Sequence, residues 1–307
     1  MARRNALDDD GDSRQVRRAP SMLEKARGAR RILPFGWYGG KFSHLNWLLP
    51  LLPDAHTYCE PFGGSGAVLL NRDPSSVEVY NDIDGELCNF FRVLREHREE
   101  VIEAIGLTPF SREEFAKSLE VDPSLNSVER ARRFYVRARQ VRTGMAQGAT
   151  LGRWANCIGN SRAGMSAAVS RWLGAVESLP EIASRLLRVQ IENRPASEVI
   201  MIYDSPNTLF YCDPPYVHDT RVDRRMYDGE MTNADHEALS RLLDGVQGKV
   251  AISNYSCELM DDLYPAPRWR KYITVERTIH STKAKRIEGL WVNYDPEAHA
   301  RDLSLIS

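Results

Sequence analysis

The sequence predicts an α/β protein: a doubly wound, Rossmann-like sheet that carries a helical insert. Three observations predict it. Short apolar runs alternate with helix-like stretches near both ends of the chain. One run leads straight into a glycine-rich turn, "EPFGGSG" (Glu60 to Gly66). Three runs end in acids, at Glu60, at Asp82 and Asp84, and at Asp213, and sheets of this kind bind ligands at the carboxyl ends of their strands.

Taken in order, residues 1–30 mix charges with few apolar positions and read as a flexible tail. "AHTYCEPF" is a short strand ending at Glu60, and the apolar "AVLL" after the glycines reads as a helix start. "SVEVYNDID" is a second strand, and "GELCNFFRVLREHREEVIEAI" a strong helix. A helical middle follows, residues 98–195. There Val128, Ala131, Phe134, Ala138 and Val141 form a stripe at helical spacing. The α/β pattern then resumes. "NTLFYCDPPY" is a strand and turn, "TNADHEALSRLLDGV" a helix capped at Thr232 or Asn233, and "GKVAISNY" a strand. "WRKYITVERTI" and "EGLWVNYD" are expected to close as an antiparallel pair. The domain reading is a core of residues 31–97 and 196–307 interrupted by an insert of 98–195.

No apolar run in the 307 residues approaches membrane-span length, and the charged start is unlike a secretory signal. The cysteines Cys59, Cys88, Cys157, Cys212 and Cys257 are scattered, without a C-x-x-C pair. That suits a reducing cytoplasm and argues against a disulfide framework or a zinc site. Net charge is −1, but nine arginines and no acid lie between Arg130 and Arg171. Such a one-signed stretch points to a polyanionic partner.

The glycine turn and the acid about twenty residues later suit a nucleotide with a free ribose. "GSGAVL" lacks the third glycine of a dinucleotide fingerprint, and there is no G-K-[ST] of a P-loop. Glu60 would repel a pyrophosphate and attract an ammonium group. S-adenosyl-L-methionine, with an amino group, a sulfonium and a ribose, fits this set.

Asp213 precedes two prolines and a tyrosine. Proline cannot join a sheet ladder and restricts the residue before it. The Asp213 carboxylate and the Pro214 carbonyl are therefore left as acceptors at a strand end, with Pro215 next. Such a pair can face an exocyclic amino group. Its lone pair is delocalised, and hydrogen bonds from both hydrogens turn it toward a methyl donor. Tyr216 can stack on a base that has left the duplex.

In order, these motifs resemble the D12 class of adenine-N6 DNA methyltransferases, Dam-like and of the α group. "WYGGK" is similar to the family's N-terminal cofactor motif, "EPFGGSG" to its cofactor loop, "NDID" to its acidic motif, "DPPY" to its catalytic motif, and "GLWVNY" to a C-terminal segment. The resemblance implies a class I methyltransferase sheet, S-adenosyl-L-methionine as donor, duplex DNA as substrate, and no metal. It implies catalytic roles for Asp213, Pro214, Pro215 and Tyr216. Its cofactor set is Trp37, Gly40, Lys41, Glu60, Pro61, Phe62, Gly64, Gly66, Asp82, Ile83 and Asp213. The candidate DNA contacts are Arg133, Arg137, Arg142, Arg153 and Arg162, with the two on the helix assigned to phosphates and Arg153 and Arg162 to base edges. The stretch "RQVRTGMAQGATLGRW" departs from the signature of GATC-reading members and leaves the target site open. Cytosine-N4 methylation is the second reading, disfavoured because those enzymes carry serine in place of Asp213. A DNA-binding relative without activity is the third. A cognate restriction endonuclease is a candidate partner, and the expected location is on DNA in the cytoplasm of a bacterial or phage-infected cell.

Overall fold

A computed structural model describes residues 31–142, 146, 148–217, 231–274, 277–278 and 285–297. The predicted tail, and the segment from His218 to Glu230, lie outside these residues.

Seven strands form the main sheet: β1 (Thr57–Glu60), β2 (Val77–Asn81), β3 (Val189–Glu192), β4 (Thr208–Cys212), β5 (Lys249–Tyr255), β6 (Arg270–Ile273) and β7 (Glu288–Val292). Their spatial order is β3-β2-β1-β4-β5-β7-β6. The first five are mutually parallel, and β7 runs antiparallel between β5 and β6. β4 is buried at every residue, as a strand covered on both faces must be. This is the doubly wound sheet of a class I methyltransferase. The order reverses between β1 and β4, so a crevice is expected beyond Glu60 and Asp213.

Helices pack on the sheet. α1 (Leu45–Leu48) is a single turn; α2 (Gly85–Glu96) and α3 (Arg98–Gly106) are separated at His97. The single long helix expected over this stretch is thus two. α4 (Arg112–Ser118), α5 (Ser127–Gln140) and α6 (Ala167–Leu186) fill the middle of the chain. α7 (Ala196–Tyr203), α8 (Asn233–Gly245) and α9 (Glu258–Leu263) flank the later strands. Thr232 caps α8 in a reciprocal box with Asp235.

A second expectation changes. The segment after the glycines is a run of tight turns and not a helix. Val68, Leu69 and Leu70 are all buried, so the segment is apolar on every side, and it has only a few residues before Pro74. The middle of the chain is joined to the sheet and its core. β3 lies within it and pairs with β2. Ala131, Phe134, Tyr135 and Ala138 of α5 share one core with Phe35, Phe90 and Phe91. The stripe at helical spacing correctly marked a buried face. What it packs against is the catalytic layer itself.

Candidate active site

The site is assembled where β1, β2 and β4 end. Beyond β1 the glycine turn is tied to the end of β2. The Gly63 amide donates to the Asn81 carbonyl at 2.7 Å, Tyr80 Oη donates to the Gly64 carbonyl at 2.6 Å, and Asn81 Nδ2 donates to the Pro61 carbonyl at 2.8 Å. A Cβ on Gly63 would sit 2.3 Å from the Tyr80 ring. Gly64 has φ +51°, and a Cβ there would press on the Trp37 indole at 2.9 Å. Glycine is thus required at both positions by packing within the chain. Gly40 closes a separate turn, residues 37–40, by donating to the Trp37 carbonyl at 3.0 Å. Trp37 is half-buried against Phe35 and Phe134.

The two acids after β2 divide their work. Asp84 caps α2, accepting from the Glu86 and Leu87 amides. Asp82 accepts from the Gly64 amide at 2.9 Å and the Asp84 amide at 2.9 Å. Burial pushes the Asp82 carboxyl up to about 6, against the pull of those two amides. Beside it Ile83 is 65% exposed, an apolar face next to an acceptor. Pro61 and Gly66 are buried and Phe62 half-buried in the same loop. Glu60 is buried and accepts from Tyr58 Oη at 2.7 Å. Burial pushes its carboxyl up to about 8, despite the Tyr58 hydroxyl and the Arg72 charge.

Asp213 stands one residue past β4 and is held from two sides. Lys41 Nζ lies 2.7 Å from Oδ1 and 2.8 Å from Oδ2, and Ser253 Oγ donates to Oδ1 at 2.7 Å. Burial raises the Asp213 carboxyl, and the Lys41 charge opposes this. Lys41 is itself buried. Burial alone would lower its ammonium, but Asp213 and Glu288 outweigh that and raise it. Pro214 is buried and Pro215 half-buried. Tyr216 is buried, with its hydroxyl donated to Glu288, Lys41 4.7 Å above its ring and Tyr255 against it edge-on. The sequence reading missed Ser253 and Glu288. They reach the site because β5 runs beside β4 and because β7, being antiparallel, begins where the parallel strands end.

The geometry therefore gathers Lys41, Glu60, Asp82 and Asp213, from four separate segments of the chain, at the ends of β1, β2 and β4. The model of the D12 class N6 adenine-specific DNA methyltransferase family matches residues 37–281. The chain belongs to that family. Two curated relatives, each a DNA adenine methylase of a Vibrio cholerae serotype O1 strain, are 39% identical over 59 residues, 19% of this chain and 21% of theirs. The match thus spans about a fifth of those relatives. Two solved chains, described provisionally as a methyltransferase from Escherichia coli and a methylase from Haemophilus influenzae, align with TM-scores of 0.33. Identity to them is 13% and 10%. The alignments cover 82% and 85% of this chain, and 84% and 92% of theirs. Membership of the D12 class rests on the family match, and the fold on the strand order.

The arginines of the middle segment separate into two groups in this family member. Arg130, Arg132, Arg133 and Arg137 of α5 are engaged within the protein. Arg130 pairs with Glu86; Arg132 pairs with Glu129 at 2.7 Å and Glu114 at 2.8 Å. Arg133 donates to Glu129 at 2.8 Å. Arg137 donates to the Ser118 carbonyl at 2.9 Å and lies over the Phe134 ring; burial lowers its guanidinium. Arg133 and Arg137, the candidate phosphate contacts, have part of their donors taken within the protein, by Glu129 one turn back and by the Ser118 carbonyl of α4. Arg142 contacts Asn156 at 3.1 Å, and Arg153 the Gly148 carbonyl at 3.4 Å. Arg162 is exposed on a two-residue hairpin, Ser161–Arg162 with Met165–Ser166. With Arg31, Arg139 and Arg171 it lines a groove of about 630 Å³, where Glu177 is the acid and Leu173 part of the wall.

Proposed function

We propose that this chain transfers a methyl group from S-adenosyl-L-methionine to the exocyclic N6 of an adenine flipped out of duplex DNA. One observation carries the reading. A carboxylate fixed by Lys41 and Ser253 stands at the end of β4, beside a glycine turn and a second acid. The residues fit the donor. Asp82 offers an acceptor for ribose hydroxyls, Ile83 an apolar face for the adenine ring, and Glu60 a carboxyl awaiting a cation. When bound, the donor supplies an activated methyl on a sulfonium.

The chain's own part is orientation and polarisation. Asp213 and the Pro214 carbonyl accept the two amine hydrogens, which favours a pyramidal nitrogen and aims its lone pair. Proximity and fixed dipoles supply most of the barrier reduction. The buried surroundings strengthen these bonds. The Tyr216 ring, held in place by its hydroxyl, is the surface against which the base packs. Duplex phosphates meet the hairpin and the groove of Arg139, Arg162 and Arg171, and Arg153 approaches base edges. The site of action is cytoplasmic DNA; among the described residues no helix is long and apolar enough to cross a membrane. A cognate endonuclease would cut the same site wherever it is left unmethylated.

The test is labelled-methyl incorporation into duplex DNA followed by digestion to nucleosides. N6-methyl-2′-deoxyadenosine is the expected product. Asp213→Ala should abolish it while leaving DNA affinity largely intact, since phosphates supply most of that affinity. N4-methyl-2′-deoxycytidine would establish the second reading, and near wild-type turnover in Asp213→Ala would remove Asp213 from the chemistry.

A further inference from the structure

We propose that Glu288 is a positioning residue for methyl transfer: it shares the Lys41 ammonium with Asp213 and so frees Asp213 to take the target amine. The proposal rests on the methyl-transfer reading above.

Lys41 is 4% exposed and has three protons to place. Gly39 takes one through its carbonyl at 2.7 Å, and Asp213 lies at 2.7–2.8 Å. Glu288 Oε1 lies 3.3 Å away, longer than a full bond but on the same ammonium. If Asp213 were the sole carboxylate, Lys41 could not release it. Release would leave a buried ammonium without a counter-charge, which is strongly unfavourable. Yet Asp213 already accepts from Ser253 on Oδ1. Lys41 and Ser253 already take three of the carboxylate's roughly four acceptor positions, so a full bond to an arriving amine is favoured when Lys41 loosens its hold. A second carboxylate within reach removes the conflict, because the ammonium can shift toward Glu288 as the amine arrives and remain paired throughout.

Glu288 is well held for this. It is the first residue of β7, buried, and paired in register with Tyr255. It also accepts the Tyr216 hydroxyl. One carboxylate thus touches both neighbours of Asp213 that matter: the cation that constrains it and the ring against which the base packs. A carboxylate at the buried start of a strand costs desolvation wherever it has no partner. Here both of its partners belong to the site.

The experiment compares Glu288→Asp and Glu288→Gln with wild type in single-turnover methyl transfer. Donor affinity is measured by calorimetry and folding by thermal melting. Glutamine keeps the length and an acceptor for Tyr216 but loses the charge; aspartate keeps the charge and is shorter. The expected order is wild type, then Glu288→Asp, then Glu288→Gln. The glutamine variant should be at least about tenfold slower, in kcat rather than KM, with donor affinity unchanged. Glu288→Gln equal to or faster than Glu288→Asp would overturn the proposal, leaving only a hydrogen bond to Tyr216. Should Glu288→Gln fail to melt cooperatively, Glu288→Asp decides. A rate within several-fold of wild type sustains the proposal, and a loss as complete as that of Asp213→Ala overturns it. Wild-type protein that transfers no methyl to any DNA would overturn the underlying reading as well.

Discussion

Two carboxyl groups in the crevice are held away from their ordinary state for the same reason. Glu60 and Asp82 are buried before any cation or hydroxyl reaches them, so their protons stay on up to about 8 and about 6. The sign follows. Both carboxyls are raised in the fold, so in the free protein they favour the folded state below the ordinary carboxylate range and lose that contribution as pH rises through these values. A donor that needs both as carboxylates must displace the protons. Its affinity is therefore expected to rise with pH between about 6 and 8, by up to about tenfold per unit. Near neutrality, calorimetry in buffers of different ionisation enthalpy should record proton release on binding. A pH-independent affinity would place the ammonium group elsewhere than Glu60. For Asp82→Ala, loss of hydrogen bonds to a charged acceptor, worth about 1.5–3 kcal/mol, predicts roughly ten- to hundredfold weaker donor binding. An unchanged calorimetric affinity would take Asp82 out of the site.

At the scale of elements, a buried ion pair fastens α6 to the sheet. Glu78 of β2 is fully buried, and Arg185 of α6 grips it with two bonds of 2.6 Å while also donating to the Leu69 carbonyl at 2.8 Å. Removing one partner of such a pair strands the other, at a cost of about 3–5 kcal/mol. Arg185→Ala is accordingly expected to lower stability by about that amount in urea unfolding. Because Arg188 at 3.4 Å and Arg72 at 3.9 Å also face Glu78, a loss under about 1 kcal/mol would show that they compensate. Glu78 is near the start of β2, away from Asp82, and through the Leu69 carbonyl Arg185 also ties α6 to the segment after the glycine turn.

For the whole molecule, charge is distributed differently from how it runs along the chain. The nine arginines without an acid do not form one basic face. Arg130, Arg132 and Arg133 of α5 meet Glu86, Glu114 and Glu129, contributed by α2, α4 and the start of α5 itself. Arg139, at the end of α5, lines the groove with Arg162 and Arg171. The duplex is expected to follow that second group. Replacing Arg162 and Arg171 together with alanine should weaken binding to all duplexes and reduce the salt slope by about two units. Arg133→Ala should leave the slope unchanged within error. If Arg133→Ala flattens the slope and the double variant does not, the duplex lies along α5.

Much of this protein could be read from its sequence because the determinants were local. Alternation of apolar runs marked each sheet strand except β3, which was absorbed into the helical middle. Proline after Asp213 marked the strand end, and Thr232 with Asp235 marked a helix start. The motif order also brought Lys41, Glu60, Asp82 and Asp213 to one family and one site. Tertiary structure decided what depends on distant neighbours. The sequence separates helix from loop arginines, but only the fold shows Arg133 donating to Glu129, Arg137 to the Ser118 carbonyl, and Arg162 exposed. Ser253 and Glu288 carry no local signal of chemistry. They join Asp213 because strand order sets β5 beside β4 and because β7 runs backwards, so that its first residue lies where the parallel strands end.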